Sequence, residues 1–227
     1  FSDANAANNK TVTVANVSTL TKANGTGNWS NYNLTTTGVM TTTADITRKN
    51  VTLDSITAAD KVYDGTAVAS ITGGSVSGTL TGESLSVSGQ GSFADKHVAS
   101  NNTVTVQDVS TLSRDNSTGD WRNYQLITTG ALTDQADITP KALSVSGITA
   151  APKTYDGNTQ ATVATSAVVW AGRIAGDNLS LSSTGTFSDK NVGTDKVVTL
   201  THTLGGTDLD NYTVTSQAST TANITAK

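Results

Sequence analysis

An all-β fold, built as a tandem, elongated array of small sandwich-like domains, is the architecture this sequence predicts. Three observations carry that expectation. Short stretches alternate apolar and polar residues, the period-two mark of half-buried strands. No stretch of ten or more residues keeps the apolar stripe of an amphipathic helix. The same residues also return at a fixed interval along the chain, the sign of a repeated unit. β-grasp-like or open-barrel units are the alternatives that share this pattern.

The strands come first. Val51 to Ile56, Leu85 to Ser88, Thr103 to Val106 and Leu143 to Ile148 all alternate. Gly73-Gly74, Gly89-Gln90-Gly91, Asn116 to Gly119 and Gly205-Gly206 stand between such stretches as breakers. About seven short strands in each unit read as a sandwich. Asp120 to Asn123 is the best place for a single helical turn.

The repeat is found by laying the chain on itself. Phe1 and Asp3 return as Phe93 and Asp95, an offset of 92 residues. Trp29, Asn31-Tyr32 and Ala44 to Thr47 return as Trp121, Asn123-Tyr124 and Ala136 to Thr139, and Val17 to Leu20 as Val109 to Leu112. Further on, Tyr63-Asp64-Gly65 returns as Tyr155-Asp156-Gly157, Gly82-Glu83 as Gly176-Asp177, and Asn123-Tyr124 as Asn211-Tyr212. Two whole units therefore run 49–140 and 141–227, and residues 1–48 are the back part of a third. The last copy is shortened between Leu200 and Asn211, where a variable loop is expected.

Within the Tyr-Asp-Gly motif the Asp can accept from the backbone two residues on, and the Gly can take positive φ. That makes a tight turn, in preference to an Asp-centred site. The Tyr should pack on the core while its hydroxyl reaches a polar partner. The joint Ala136 to Leu143 passes between units without a Gly/Ser linker, and Pro140 stiffens it.

Composition excludes several functions. Only 14% of the 227 residues are charged and 35% are hydrophobic, so hydroxyl and amide side chains fill the difference. With two prolines and little charge this is not a disordered composition. A net charge of −4 without a basic run gives no footprint for nucleic acid. No apolar run reaches the roughly eighteen residues of a membrane helix, so no membrane insertion is expected. Phe1-Ser2-Asp3 does not open a signal peptide. The absence of cysteine removes disulfides, zinc–thiolate sites and thiol nucleophiles.

Taken in order, the Ile-Thr-Ala-Ala segment before Tyr-Asp-Gly, the block Phe187 to Gly193, the Asn-Tyr pair and the closing Ala-Asp-Ile-Thr-Pro-Lys resemble the YDG-type repeats. These occur in large Gram-negative surface or secreted adhesins of the filamentous-haemagglutinin-like, two-partner secretion class. His97 stands where Asn191 fits the pattern, Ala99 where Gly193 does, and Ala226 where Pro140 does. The resemblance implies extracellular or cell-surface display and a stalk-like or adhesive role, and it implies no active site.

No catalytic, cofactor-binding or metal residue is assigned, and the residues of any binding site stay unknown. His97 and His202 occupy different places in their units and read as surface residues. Asp3, Asp95 and Asp189 are equivalent, as are Asp45, Asp137 and Asn223. Their scatter favours loop caps over calcium, though calcium at a domain joint is the metal alternative. Trp29 and Trp121 are equivalent and Leu209 replaces them, which favours packing over sugar stacking; Trp170 reads the same way. Asn-x-Ser/Thr sequons start at Asn9, Asn16, Asn24, Asn28, Asn33, Asn50, Asn101, Asn116, Asn178, Asn211 and Asn223, and some could carry glycans.

A stalk or spacer is therefore the expected function, with neighbouring repeats of the same polypeptide as partners. A module that itself binds host or matrix glycans or proteins is the alternative, and an enzyme is not expected. The half unit at 1–48 should expose an unpaired edge that another chain or a neighbouring unit covers.

Overall fold

A computed structural model describes residues 1–17, 20–23, 26–36 and 38–227. The protein is all-β, and its helical residues form only short 3-10 turns among the described residues. Residues 1–48 hold β1 (Ala7–Val14) and β2 (Met40–Ile46), an antiparallel pair. The copy at 49–140 holds β3 (Lys49–Ala58), β4 (Lys61–Val62), β5 (Val68–Ser77), β6 (Leu85–Phe93), β7 (Ala99–Val106), β8 (Ser113–Asn116), β9 (Tyr124–Leu126) and β10 (Leu132–Thr139). The copy at 141–227 holds β11 (Lys141–Ser146), β12 (Thr149–Ala150), β13 (Lys153–Thr154), β14 (Gln160–Ala161), β15 (Val163–Ala164), β16 (Val169–Ala171), β17 (Ser180–Phe187), β18 (Gly193–Gly205), β19 (Tyr212–Ser216) and β20 (Ser219–Thr225).

Both complete copies use the same unusual pairings. The opening strand runs parallel to the strand after the Asn-Tyr pair, so Lys49 faces Tyr124 and Lys141 faces Tyr212. The two residues before Tyr-Asp-Gly run parallel to the closing strand, with Lys61 opposite Ile138 and Lys153 opposite Ile224. Equal side chains at equal intervals therefore specify equal strand partners.

By contact the chain forms two compact units that combine segments of different copies. One comprises Phe1–Thr57, Ile71–Gly89 and Gln107–Leu132; the other comprises Ala58–Ser70, Gln90–Val106 and Thr133–Lys227. The first buries Val51, Leu53, Ile56, Ile71, Val87 and Trp121. In the second, β11 lies in a three-stranded sheet, β16-β11-β19, and its Val145 packs on Phe187, Val198, Ala222 and Ile224 of the sheet β13-β20-β18-β17-β14. Two sheets facing one apolar layer make a sandwich, and each fully buried large aliphatic or Phe side chain there contributes roughly 1.5–3 kcal/mol.

Two expectations need correction. Gly73-Gly74 and Gly89 to Gly91 do not break strands; they lie inside β5 and β6. A Cβ on Gly74 would stand 2.4 Å from the Ser55 carbonyl oxygen, so glycine there permits close backbone approach. The shortened stretch after Leu200 is not a loop throughout, because β18 continues unbroken to Gly205. In the previous copy Asp108 caps a 3-10 turn by accepting from the Ser110 N–H at 2.8 Å, and that turn separates β7 from β8. His202 takes the place of Asp108 and supplies no such cap, so the strand runs on.

Candidate functional site

The Tyr-Asp-Gly motif forms the predicted turn in both copies. Asp64 Oδ1 accepts from the Thr66 N–H at 2.9 Å, Asp156 Oδ1 from the Asn158 N–H at 3.1 Å, and Gly65 and Gly157 have φ of 79° and 81°. The motif extends to a lysine two residues before the tyrosine, which sequence reasoning passed over although both copies share it. Lys61 Nζ donates to Asp64 Oδ1 at 2.7 Å and to the carbonyls of Thr66 and Val68, and it lies 5.5 Å from the Phe93 ring centroid. Lys153 repeats each of these contacts with Asp156, Asn158, Gln160 and Phe187. The Lys153 hydrogen bond, with the Asn158 N–H, holds the Asp156 carboxyl below the ordinary range. Burial raises the Asp64 carboxyl, but the combined hydrogen bonds of Lys61 and Thr66 outweigh it and leave it lowered.

The two tyrosines differ in surroundings. Tyr63 is fully buried, whereas Tyr155 is 36% exposed. The Tyr63 backbone N–H donates to the Thr139 carbonyl at 2.9 Å, and its hydroxyl donates to the Asp177 carboxylate at 3.1 and 3.2 Å. Asp177 lies in the following copy but in the same compact unit. It is itself buried and also accepts from the Tyr212 hydroxyl. The Tyr63 and Tyr212 rings meet edge to face at 5.6 Å and 77°, an arrangement worth roughly 0.5–1.5 kcal/mol beyond burial. Tyr212 Oη in turn accepts from the Ile174 N–H at 2.9 Å. Burial first, and then the hydrogen bond to Asp177, raise the Tyr212 hydroxyl to about 12 and push Tyr63 higher still. Neutral hydroxyls facing a buried carboxylate thus form a latch between consecutive copies, with Val98 N–H donating to Asn211 Oδ1 at 2.9 Å beside it.

The first unit carries the corresponding groups one period earlier. The Tyr124 hydroxyl donates to Glu83, Leu80 N–H donates to Tyr124 Oη at 3.2 Å, and Ala6 N–H donates to Asn123 Oδ1 at 2.7 Å. Burial and then the Glu83 hydrogen bond raise the Tyr124 hydroxyl.

The carboxylates weighed as calcium ligands act as backbone acceptors. Asp3, Asp95 and Asp189 accept from the N–H groups of Asn5, His97 and Asn191 at 2.8, 2.9 and 2.8 Å. Asp45 and Asp137 accept from the N–H of Asn9 and Asn101, and Asn223 does the same for Asp195. All three donating residues hold positive φ, 53°, 53° and 48°, so the acceptor secures an energetically costly backbone state. Asn serves here as Asp does, because the backbone N–H needs an acceptor oxygen and not a charge. Among the described residues no group of three or more His, Cys, Asp or Glu side chains is arranged to hold a metal ion.

The His97 side chain is 45% exposed and its Nδ1 lies 2.6 Å from Asp95 Oδ1, with Nε2 3.7 Å from Asp208. His202 is not a plain surface residue: it is half-buried, with Nδ1 2.8 Å from Ser183 Oγ and Nε2 2.6 Å from the Gln217 carbonyl oxygen. A carbonyl can only accept, so Nε2 carries the proton and Nδ1 receives the serine hydroxyl. Trp121 is buried and donates to the Ser86 carbonyl at 3.0 Å, and Trp170 packs against the last core. Trp29 is 38% exposed, unlike its counterpart. Of the sequons, Asn211 is buried and occupied by Val98, and Asn24 lies outside the described residues.

No curated protein and no solved structure matches the chain. The family model described as the YDG domain matches it twice, over residues 47–132 and 139–222. Those two stretches cover most of the sequence and both contain the lysine, the tyrosine turn and the Asn-Tyr pair, so the chain belongs to the YDG domain family.

Proposed function

We propose that this chain is a structural spacer from a long surface adhesin of the filamentous-haemagglutinin-like class of Gram-negative bacteria, holding a distal adhesive region away from the cell. Its partners are the neighbouring repeats of the same polypeptide. The observation that supports this reading is the burial of Tyr63 against Asp177 and Tyr212 of the next copy. A side chain spent on coupling one copy to the next serves mechanical continuity, and stability then accumulates repeat by repeat. Deleting residues 49–140 in frame from the parent protein tests it. Soluble ligand binding by the purified parent should persist while attachment of intact cells falls. Loss of soluble binding would instead place recognition in the repeats.

A module that binds glycans or proteins is the second reading. It is favoured by a cavity of about 570 Å³ bordered by Ala23, Gly27, Trp29, Tyr32 and Leu34, where Tyr32 is 67% exposed. Glycan-array signal from the purified chain, lost in Trp29→Ala and Tyr32→Ala, would decide for it.

A further inference from the structure

The copy at 141–227 opens and closes on two extended ribbons that run side by side in the same direction. Lys141 faces Tyr212, Val145 faces Ser216, Lys153 faces Ile224 and Thr154 faces Thr225, at one constant offset from the first pair to the last. Between the two paired stretches both ribbons change sheets, and the first bends at Gly147, whose φ is 83°. Gln217 spans that bend. Its backbone N–H donates to the Val145 carbonyl at 3.0 Å, its Oε1 accepts from the Ile148 N–H at 3.0 Å, and its Nε2 donates to the Ile148 carbonyl at 2.8 Å. The amide side chain thus supplies a donor and an acceptor where the backbone ladder is interrupted. At the far end the Tyr155 N–H donates to the Thr225 carbonyl at 2.9 Å.

Direction decides what such a pair can bear. The chain enters this copy through Pro140, beside Lys141 at the start of the first ribbon, and the second ribbon ends at Thr225. Because the ribbons are parallel, those two points lie at opposite ends of the pair. Tension along the chain therefore slides one ribbon past the other. The hydrogen bonds of a parallel ladder cross between the strands at even spacing. Sliding strains them together, whereas prying the pair apart from one end breaks them singly. Sliding also displaces Val145, Ile148, Ala222 and Ile224 within one buried core, where close packing resists movement.

We propose that this ribbon pair is a shear clamp, by which the copy carries tension along the chain without unfolding. The copy at 49–140 has both parallel pairings as well, Lys49 with Tyr124 and Lys61 with Ile138. The proposal rests on the spacer reading for the source of the tension. It adds a resistance to force that a spacer at rest does not need.

The chain has no cysteine, so introduced pairs give unique attachment points for single-molecule pulling of the full chain. Lys141→Cys with Lys227→Cys loads the ribbons in shear. Lys141→Cys with Thr213→Cys loads the same ribbons across one end. The unfolding force should be severalfold higher in the first geometry, since forced unfolding follows the unfolding rate and not the equilibrium stability. Gln217→Ala should lower the force in shear and leave the one-ended pull unchanged, because opening from Lys141 begins before the bend. Equal forces in the two geometries overturn the inference. So does a Gln217→Ala loss of the same size in both, since Gln217 would then only stabilise the fold. The spacer reading is judged separately by the deletion of residues 49–140, because a mechanically weak repeat still adds reach.

Discussion

The Tyr63 hydroxyl lies 3.1 Å from the Asp177 carboxylate, 114 residues further along the chain, and both side chains are buried. The Tyr212 hydroxyl donates to the same carboxylate. Removing the Tyr63 hydroxyl leaves a buried acceptor short of a donor, which costs about 1–3 kcal/mol. Tyr63→Phe should therefore lower the unfolding free energy by that amount, read as a lower denaturant midpoint at an unchanged slope. Tyr155→Phe, at a 36% exposed position of the same motif, should stay within roughly 0.5 kcal/mol of the parent. Equal losses at both positions would assign the effect to the turn and not to the latch.

The same pair sets an alkaline limit. A tyrosine in the unfolded chain loses its proton from its ordinary value of 10.0, whereas Tyr212 keeps its proton to about 12. Tyr63 shifts in the same direction. Between pH 10 and 12 the folded state binds more protons than the unfolded one, so stability falls as pH rises through that window. Below pH 10 both states are protonated and these groups give no pH dependence. Denaturation at stepped pH should show the decline, and Tyr63→Phe should make it shallower. An unchanged slope in the variant would remove Tyr63 from the linkage.

What the sequence disclosed follows the range of the interactions. The turn at Asp64 and Gly65 was legible because its hydrogen bond spans two residues and its φ needs glycine. β7 and the first half of β6 were legible because burial alternates along them, and β3 because Val51 and Leu53 alternate with outward residues before Ile56. The latch was only half legible. A tyrosine before a tight turn announces a need for a polar partner, but nothing in the local residues names Asp177. The fixed spacing of Lys61 and Lys153 from their tyrosines was the available signal for the extended motif. Gly74 misled for a physical reason: glycine serves turns and close approaches alike, and only the neighbouring Ser55 carbonyl decides between them.

Asp137 separates a backbone acceptor from a metal ligand. Its Oδ1 accepts from the Asn101 N–H at 2.8 Å, and Asn223 performs the same task for Asp195. Asp137→Asn keeps an acceptor in place and should change stability by less than roughly 0.5 kcal/mol. Asp137→Ala releases the positive-φ residue from its bond and should cost about 1 kcal/mol or more. Calcium should shift the thermal midpoint of neither the parent nor the asparagine variant. A calcium-dependent rise that Asp137→Asn abolishes would restore the cation reading.

Gly65 and Gly157 share a turn, a motif and nearly the same φ, 79° and 81°, so alanine at either meets the same backbone strain of roughly 1–2 kcal/mol. Their surroundings differ. A Cβ on Gly157 meets nothing within 4 Å, but one on Gly65 would stand 2.8 Å from Ile174 Cγ2, in the copy that follows. Ile174 is β-branched and stiff, and the Tyr212 hydroxyl anchors its backbone N–H, so it yields poorly. Gly65→Ala should therefore destabilise the protein by about 1–3 kcal/mol more than Gly157→Ala, the cost of overpacking a fixed neighbour. Because the strain cancels in the comparison, the difference reads the contact between copies alone, and Ile174→Ala in the Gly65→Ala background should recover part of it. Equal losses for the two glycines, with no recovery, would mean that the turn does not bear on the next copy.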